Sequence, residues 1–144
     1  MVYFREAQQF RQWWLWMLLV VPAAMGIWRQ RLPWVVLLLL AAPLWFWFLR
    51  LITEVRDDGV HLHFFLLWKK RVILFHEIRS AQARTYRPLM EYGGWGIRWG
   101  LSGQAYNVSG NQGVQLELAG GKRLLIGSQR PEELESAIQS RISR

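Results

Sequence analysis

The chain has 144 residues, with 18 basic against 10 acidic side chains, a formal charge of +8, 52% hydrophobic residues and no cysteine. Lack of cysteine excludes disulfides, thiolate catalysis and cysteine-based metal sites. Arginine outnumbers lysine and tryptophan is frequent, which points to a GC-rich bacterial genome. A mean hydropathy close to zero conceals two unlike parts. Residues 1–52 carry five arginines against Glu6, and residues 53–144 carry thirteen basic against nine acidic side chains, so each part is net +4.

In chain order, two apolar runs come first, Trp13–Trp28 and Trp34–Ile52, joined by Arg29-Gln30-Arg31-Leu32-Pro33. Neither run holds an ionisable residue before Arg50, which predicts a transmembrane helical hairpin. The first run would form a helix of roughly 24 Å, short of a hydrocarbon core of about 30 Å, so flanking residues or local thinning are needed. Trp13, Trp14, Trp28, Trp34, Trp45 and Trp47 fall where aromatic belts would sit. Arg5, Arg11, Arg50, Arg56, Lys69 and Lys70 outweigh Arg29 and Arg31, which places both termini in the cytoplasm of a multi-pass protein of the bacterial inner membrane. A cleaved leader is the weaker alternative, because the cleavage site is poor and a second apolar run follows at once.

From Thr53 onward the pattern alternates, with turn residues at short intervals, which predicts antiparallel strands. Leu51–Arg56 and Val60–Leu67 flank Asp57-Asp58-Gly59, a hairpin signal. Pairing Arg56 with Val60 would set Ile52 beside Phe64 and Arg50 beside Leu66. Further strands are expected at Val72–Ile78, Ser80–Arg87, Trp95–Trp99, Gln104–Val108, Val114–Leu118 and Arg123–Ile126. All glycines except Gly26 and Gly59 lie between Gly93 and Gly127, in no nucleotide-binding spacing, and suit turns and sheet corners. A helix over Pro131–Ile142 closes the chain: Pro131 suits its first turn, Glu132, Glu133 and Glu135 its amino end, and Leu134 and Ile138 its apolar stripe. Gln139 falls on the outer side.

Short antiparallel strands ended by an amphipathic helix resemble the pleckstrin-homology-like (PH-like) fold. Together with the hairpin, the segments Phe4–Trp14, Gly93–Arg98, Ala105–Leu118 and Gly121–Ile138 resemble a family of small uncharacterised bacterial membrane proteins with a bacterial PH-like domain. The resemblance implies an α+β membrane protein: a hairpin in residues 1–52, then a PH-like β-sandwich or barrel with a capping helix in 53–144. It implies no assigned activity. The Arg56–Gly59 loop departs from eukaryotic PH domains, whose phosphoinositide pocket uses a long basic loop there.

Basic residues gather instead at Lys69, Lys70 and Arg71 after Trp68. The predicted register brings this turn to membrane level, where an indole and three cations, worth about 1 kcal/mol each near an anionic leaflet, would engage lipid headgroups. A solvated hairpin tip is the alternative. His61 and His63 share a strand face, and a four-residue turn would bring His76 opposite His63; these are weak candidates for a metal site. Asn107-Val108-Ser109 fits a glycosylation sequon that a cytoplasmic bacterial domain would not use. No triad, carboxylate dyad or nucleophile elbow is visible. The expected function is a membrane-anchored binding or scaffolding protein, without catalysis or cofactor, whose partners are membrane lipids or an unidentified membrane or cytoplasmic protein and not nucleic acid. An accessory subunit of a larger membrane complex and a metal-dependent membrane enzyme are the alternatives.

Overall fold

The computed structural model describes residues 1–10, 13–28, 37, 41, 45, 47–65 and 67–143. Two sheets face each other. The first is an antiparallel meander of β1 (Val2–Gln9), β2 (Arg50–Arg56), β3 (Gly59–Phe65) and β4 (Lys69–Leu74), in that spatial order. The second has the order β5-β8-β9-β7-β6, from β5 (Ile78–Thr85), β6 (Gly96–Gly100), β7 (Gly103–Asn107), β8 (Gln112–Leu118) and β9 (Arg123–Gly127). The helices α1 (Trp13–Trp28), α2 (Pro88–Tyr92) and α3 (Pro131–Ile142) accompany them.

Alternation along the strands builds the core. Leu51, Val55, Val60, Leu62, Phe64 and Ile73 of the first sheet meet Val114, Leu116, Leu124 and Ile126 of the second, and Leu134 and Ile138 of α3 close one end. The helix occupies the span its sequence pattern predicts, and both of its apolar plugs are fully buried. The two-sheet arrangement with a terminal helix therefore stands, but the wholly antiparallel sandwich does not, because β7 and β9 run parallel.

The transmembrane hairpin is corrected. No helix among the described residues is long and apolar enough to cross a membrane. Helix α1 has 16 residues, and the second run is shorter than its composition suggests because β2 begins at Arg50. Leu49 and Leu51 are apolar because they lie in the core of the β-structure, at 6% and 0% exposure, so the sequence ran a strand and a helical segment together. Of the residues from Trp34 to Phe48, only Leu37, Ala41, Trp45, Trp47 and Phe48 are described, all helical; Trp34 and the connecting loop lie outside the described residues. A multi-pass inner-membrane protein with cytoplasmic termini thus loses its structural basis. Among the belt candidates, Trp13, Trp45 and Trp47 are exposed and Trp14 packs on Trp95 with ring centroids 5.7 Å apart. Trp47 packs edge-on against Trp16. Trp28 ends α1, and its side chain lies outside the described residues.

Strand β1 draws the residues before α1 into the first sheet. Its inward face carries Phe4, Glu6 and Gln8, all buried. Glu6 accepts hydrogen bonds from Ser128 Oγ at 2.5 Å and the Gln129 N–H at 2.8 Å, just ahead of α3. Gln8 Nε2 donates to the Gly127 carbonyl at 2.6 Å. Sheet residues thus come from both sides of the 52/53 boundary.

The β2–β3 register differs by one residue from expectation. Val55 pairs with Val60, Leu51 with Phe64 and Arg50 with Phe65. A pleated pair places directly opposite residues on the same face, and only this register joins the buried Leu51 to the buried Phe64.

Candidate functional site

Strand β4 begins at Lys69, three residues before its apolar stretch, so the pleat divides the basic run. Lys69 and Arg71 lie opposite the buried Phe64 and Leu62, on the inward side of the sheet, whereas Lys70 lies opposite His63 on the outward side. Trp68 stands at the tip, 89% exposed, and is the one non-glycine described residue with a left-handed φ, 55°. An L-residue holds that conformation at a cost of about 1 kcal/mol or more.

Arg71 is a pin between the sheets. Its Nη1 donates to Gln104 Oε1 and, at 3.4 Å, to the Tyr106 hydroxyl, while its guanidinium lies 5.7 Å from the centre of the Tyr106 ring. Gln104 Nε2 also donates to that hydroxyl, at 3.3 Å. Two clefts flank the pin and share Trp99 and Gln104. One, of about 640 Å³, opens between Arg71, the β6–β7 turn and the Lys122–Arg123 segment. Gly103 permits its narrow wall: at φ 101°, a Cβ there would stand 2.2 Å from the Arg123 carbonyl oxygen. The other, of about 750 Å³, lies between Lys69, Arg98, Trp95 and Trp99 at β6, and the amino end of α1. Neither is lined by a carboxylate. Trp99 is 76% exposed and Leu101, at the β6–β7 turn, wholly so.

A polar network that sequence reading missed holds β6 beside these clefts. Asn107 is fully buried; its Nδ2 donates to the Tyr86 hydroxyl at 3.0 Å and its Oδ1 accepts from the Gly96 N–H at 2.9 Å. The sequon asparagine is therefore committed to the interior. Burial raises the Tyr86 pKa to about 12 against the Asn107 hydrogen bond, and burial likewise raises that of Tyr92. Arg84 Nη2 donates to Glu91 Oε2 at 2.7 Å. Burial opposes charge on both partners, yet the hydrogen-bonded pairing prevails, lowering the Glu91 pKa and raising that of Arg84. The only sequence signals for this network were isolated polar residues with no motif.

The histidines do not converge. His61 Nε2 lies 2.9 Å from Asp58 Oδ1, and this hydrogen bond lowers the Asp58 pKa. His63 lies edge-on to Phe65, and His76 sits in the 3₁₀ turn Phe75–Glu77 after β4, not opposite His63. Among the described residues no group of three or more His, Asp or Glu side chains is placed to hold a metal ion.

Compared with known proteins, the chain matches no family model, no curated protein and no solved structure. The resemblance to two-helix membrane proteins with a PH-like domain is accordingly withdrawn: no family model supports it, and no described helix can supply the membrane-crossing pair.

Proposed function

We propose that this protein is a non-catalytic binding module whose two adjoining hairpin tips, β3–β4 and β6–β7, dock on phosphate-bearing lipid headgroups at an anionic bilayer surface. The observation that carries this reading is the coincidence of exposed indoles with cations that no nearby carboxylate neutralises. Trp68, Trp99 and Leu101 project beside Lys69, Arg98 and Lys122, and the clefts between them contain no acid. Indole rings favour the headgroup level, and each cation near an anionic leaflet contributes about 1 kcal/mol. Such docking uses side chains at turns and requires no membrane-crossing helix.

Sedimentation of the full chain with vesicles tests it. Vesicles containing phosphatidylglycerol should bind, vesicles of phosphatidylcholine alone should not, and binding should weaken with salt because exposed attraction is screened within about 10 Å at 0.1 M. Replacing Lys69, Arg98 and Lys122 by Gln should weaken binding on the order of 100-fold at about 1 kcal/mol per cation. Arg71 is left in place because it joins the sheets. Equal sedimentation with neutral vesicles, or an unaltered triple variant, would overturn the proposal.

A second reading, an accessory subunit of a larger assembly, draws on α1, which exposes Trp13, Met17, Val20, Val21 and Met25. A helix so apolar on its open side is ordinarily covered. A stoichiometric protein partner that copurifies with the intact chain, and is lost when Met17 and Val21 become Lys, would favour it.

A further inference from the structure

We infer that the larger cleft is a binding site for a single-chain anionic amphiphile, its alkyl chain held by the aromatic walls and its head by Lys69 and Arg98. The inference rests partly on the proposed headgroup reading but concerns a ligand that needs no bilayer.

The cleft is built in layers of different chemistry. Its floor is the core itself: Phe10 and Leu49 are 7% and 6% exposed. Above them, Trp14 of α1 packs against Trp95, and Leu89 of α2 faces the same space. At about 750 Å³ the cleft has the size of ordinary small-molecule sites, which are mostly apolar with a few placed polar groups.

Two of the polar groups along the walls are already engaged. Trp95 Nε1 donates to the Gly110 carbonyl at 3.0 Å, and the Tyr106 hydroxyl accepts from Arg71 and Gln104. Against these two groups a further polar group would lose hydration and gain little, whereas methylenes laid on the indole and leucine faces gain about 0.8 kcal/mol each. At the rim the opposite holds. Arg98 Nε donates to the Trp95 carbonyl at 3.1 Å, which orients the guanidinium beside the cleft. Neither Arg98 nor Lys69 forms an ion pair with a carboxylate among the described residues. A neutral hydrocarbon would leave these cations unused, a cationic amphiphile would be repelled, and a small polar anion would not fill the apolar floor. An alkyl phosphate or long-chain carboxylate satisfies all three layers.

Calorimetric titration of the full chain with monomeric dodecyl phosphate, below its micelle concentration, provides the test. Inorganic phosphate and dodecyltrimethylammonium serve as comparison probes. Dodecyl phosphate should bind at least tenfold more tightly than either. Lys69→Glu should weaken it about tenfold or more and narrow its advantage over the cation, and Leu89→Asp, at a wall position 61% exposed in the free protein, should weaken it similarly while the melting temperature holds. Absence of binding, equal binding of inorganic phosphate, equal binding of the cationic probe, or both variants within twofold of the parent would each overturn the inference. Dodecyl phosphate binding without vesicle docking would reject the headgroup surface and keep the cleft; vesicle docking without dodecyl phosphate binding would do the reverse.

Discussion

Glu6→Ala tests whether β1 is an integral strand. The Glu6 side chain is 8% exposed and accepts from Ser128 Oγ and the Gln129 N–H, so it ties the first strand to the segment that launches α3. Hydrogen bonds to a charged group contribute about 1.5–3 kcal/mol each, and removing the acceptor leaves a backbone N–H without its partner. Against the loss of two such bonds stands the relief of a buried carboxylate, itself worth a few kcal/mol. The expected net destabilisation is about 3 kcal/mol, which for a chain of this size is a fall of roughly 10 °C in melting temperature. Glu6→Gln keeps one acceptor in place and should fall between. Thermal melts of the full chain followed by circular dichroism read the effect, with Glu132→Ala, on the exposed first turn of α3, as the control expected within about 0.5 kcal/mol. If Glu6→Ala melts with that control, β1 is not fastened to α3 and the fold described here is wrong at its first strand.

Ile138→Ala should cost about 2–5 kcal/mol, since the side chain is wholly buried between α3 and the sheets; Ser136→Ala on the exposed side should stay within about 0.5 kcal/mol, and chemical denaturation of both checks it. Gln139 is unsuitable as the neutral position because its Nε2 donates to the Ala81 carbonyl at 2.8 Å. Stability should also fall at alkaline pH: Tyr86 has a folded pKa raised from 10.0 to about 12, so its contribution is complete below the unfolded value and is lost as pH rises toward the folded one. The rise from 10.0 to about 12 corresponds to about 3 kcal/mol, and urea midpoints of Tyr86→Phe across that interval should lose this part of the alkaline slope; an unchanged slope would refute the assignment.

Local signals in the sequence were sufficient wherever a residue's role is decided by its neighbours in the chain. The Asp57–Gly59 turn, most of the strands after it and the Pro131–Ile142 helix depend on backbone preference and on apolar spacing, both written in short windows, whereas the strand expected over Val72–Ile78 gives way after Leu74 to a 3₁₀ turn at Phe75–Glu77. Roles decided by distant partners were not legible. Strand β1 places Glu6 and Gln8 inward, a pattern that reads as polar until Ser128, Gln129 and Gly127 arrive from the other end of the chain to receive them. The apolar stretch up to Ile52 looked continuous because burial in a β-core and burial in lipid select the same side chains, and only the pairing of β2 shows where one environment ends. Lys69, Lys70 and Arg71 are adjacent in sequence, yet where β4 starts decides which of them face the clefts. Sequence by itself determined the composition of the site, its indoles and its cations. Tertiary structure decided which of them meet, because a pleated strand sends successive side chains to opposite faces and the paired register selects the face.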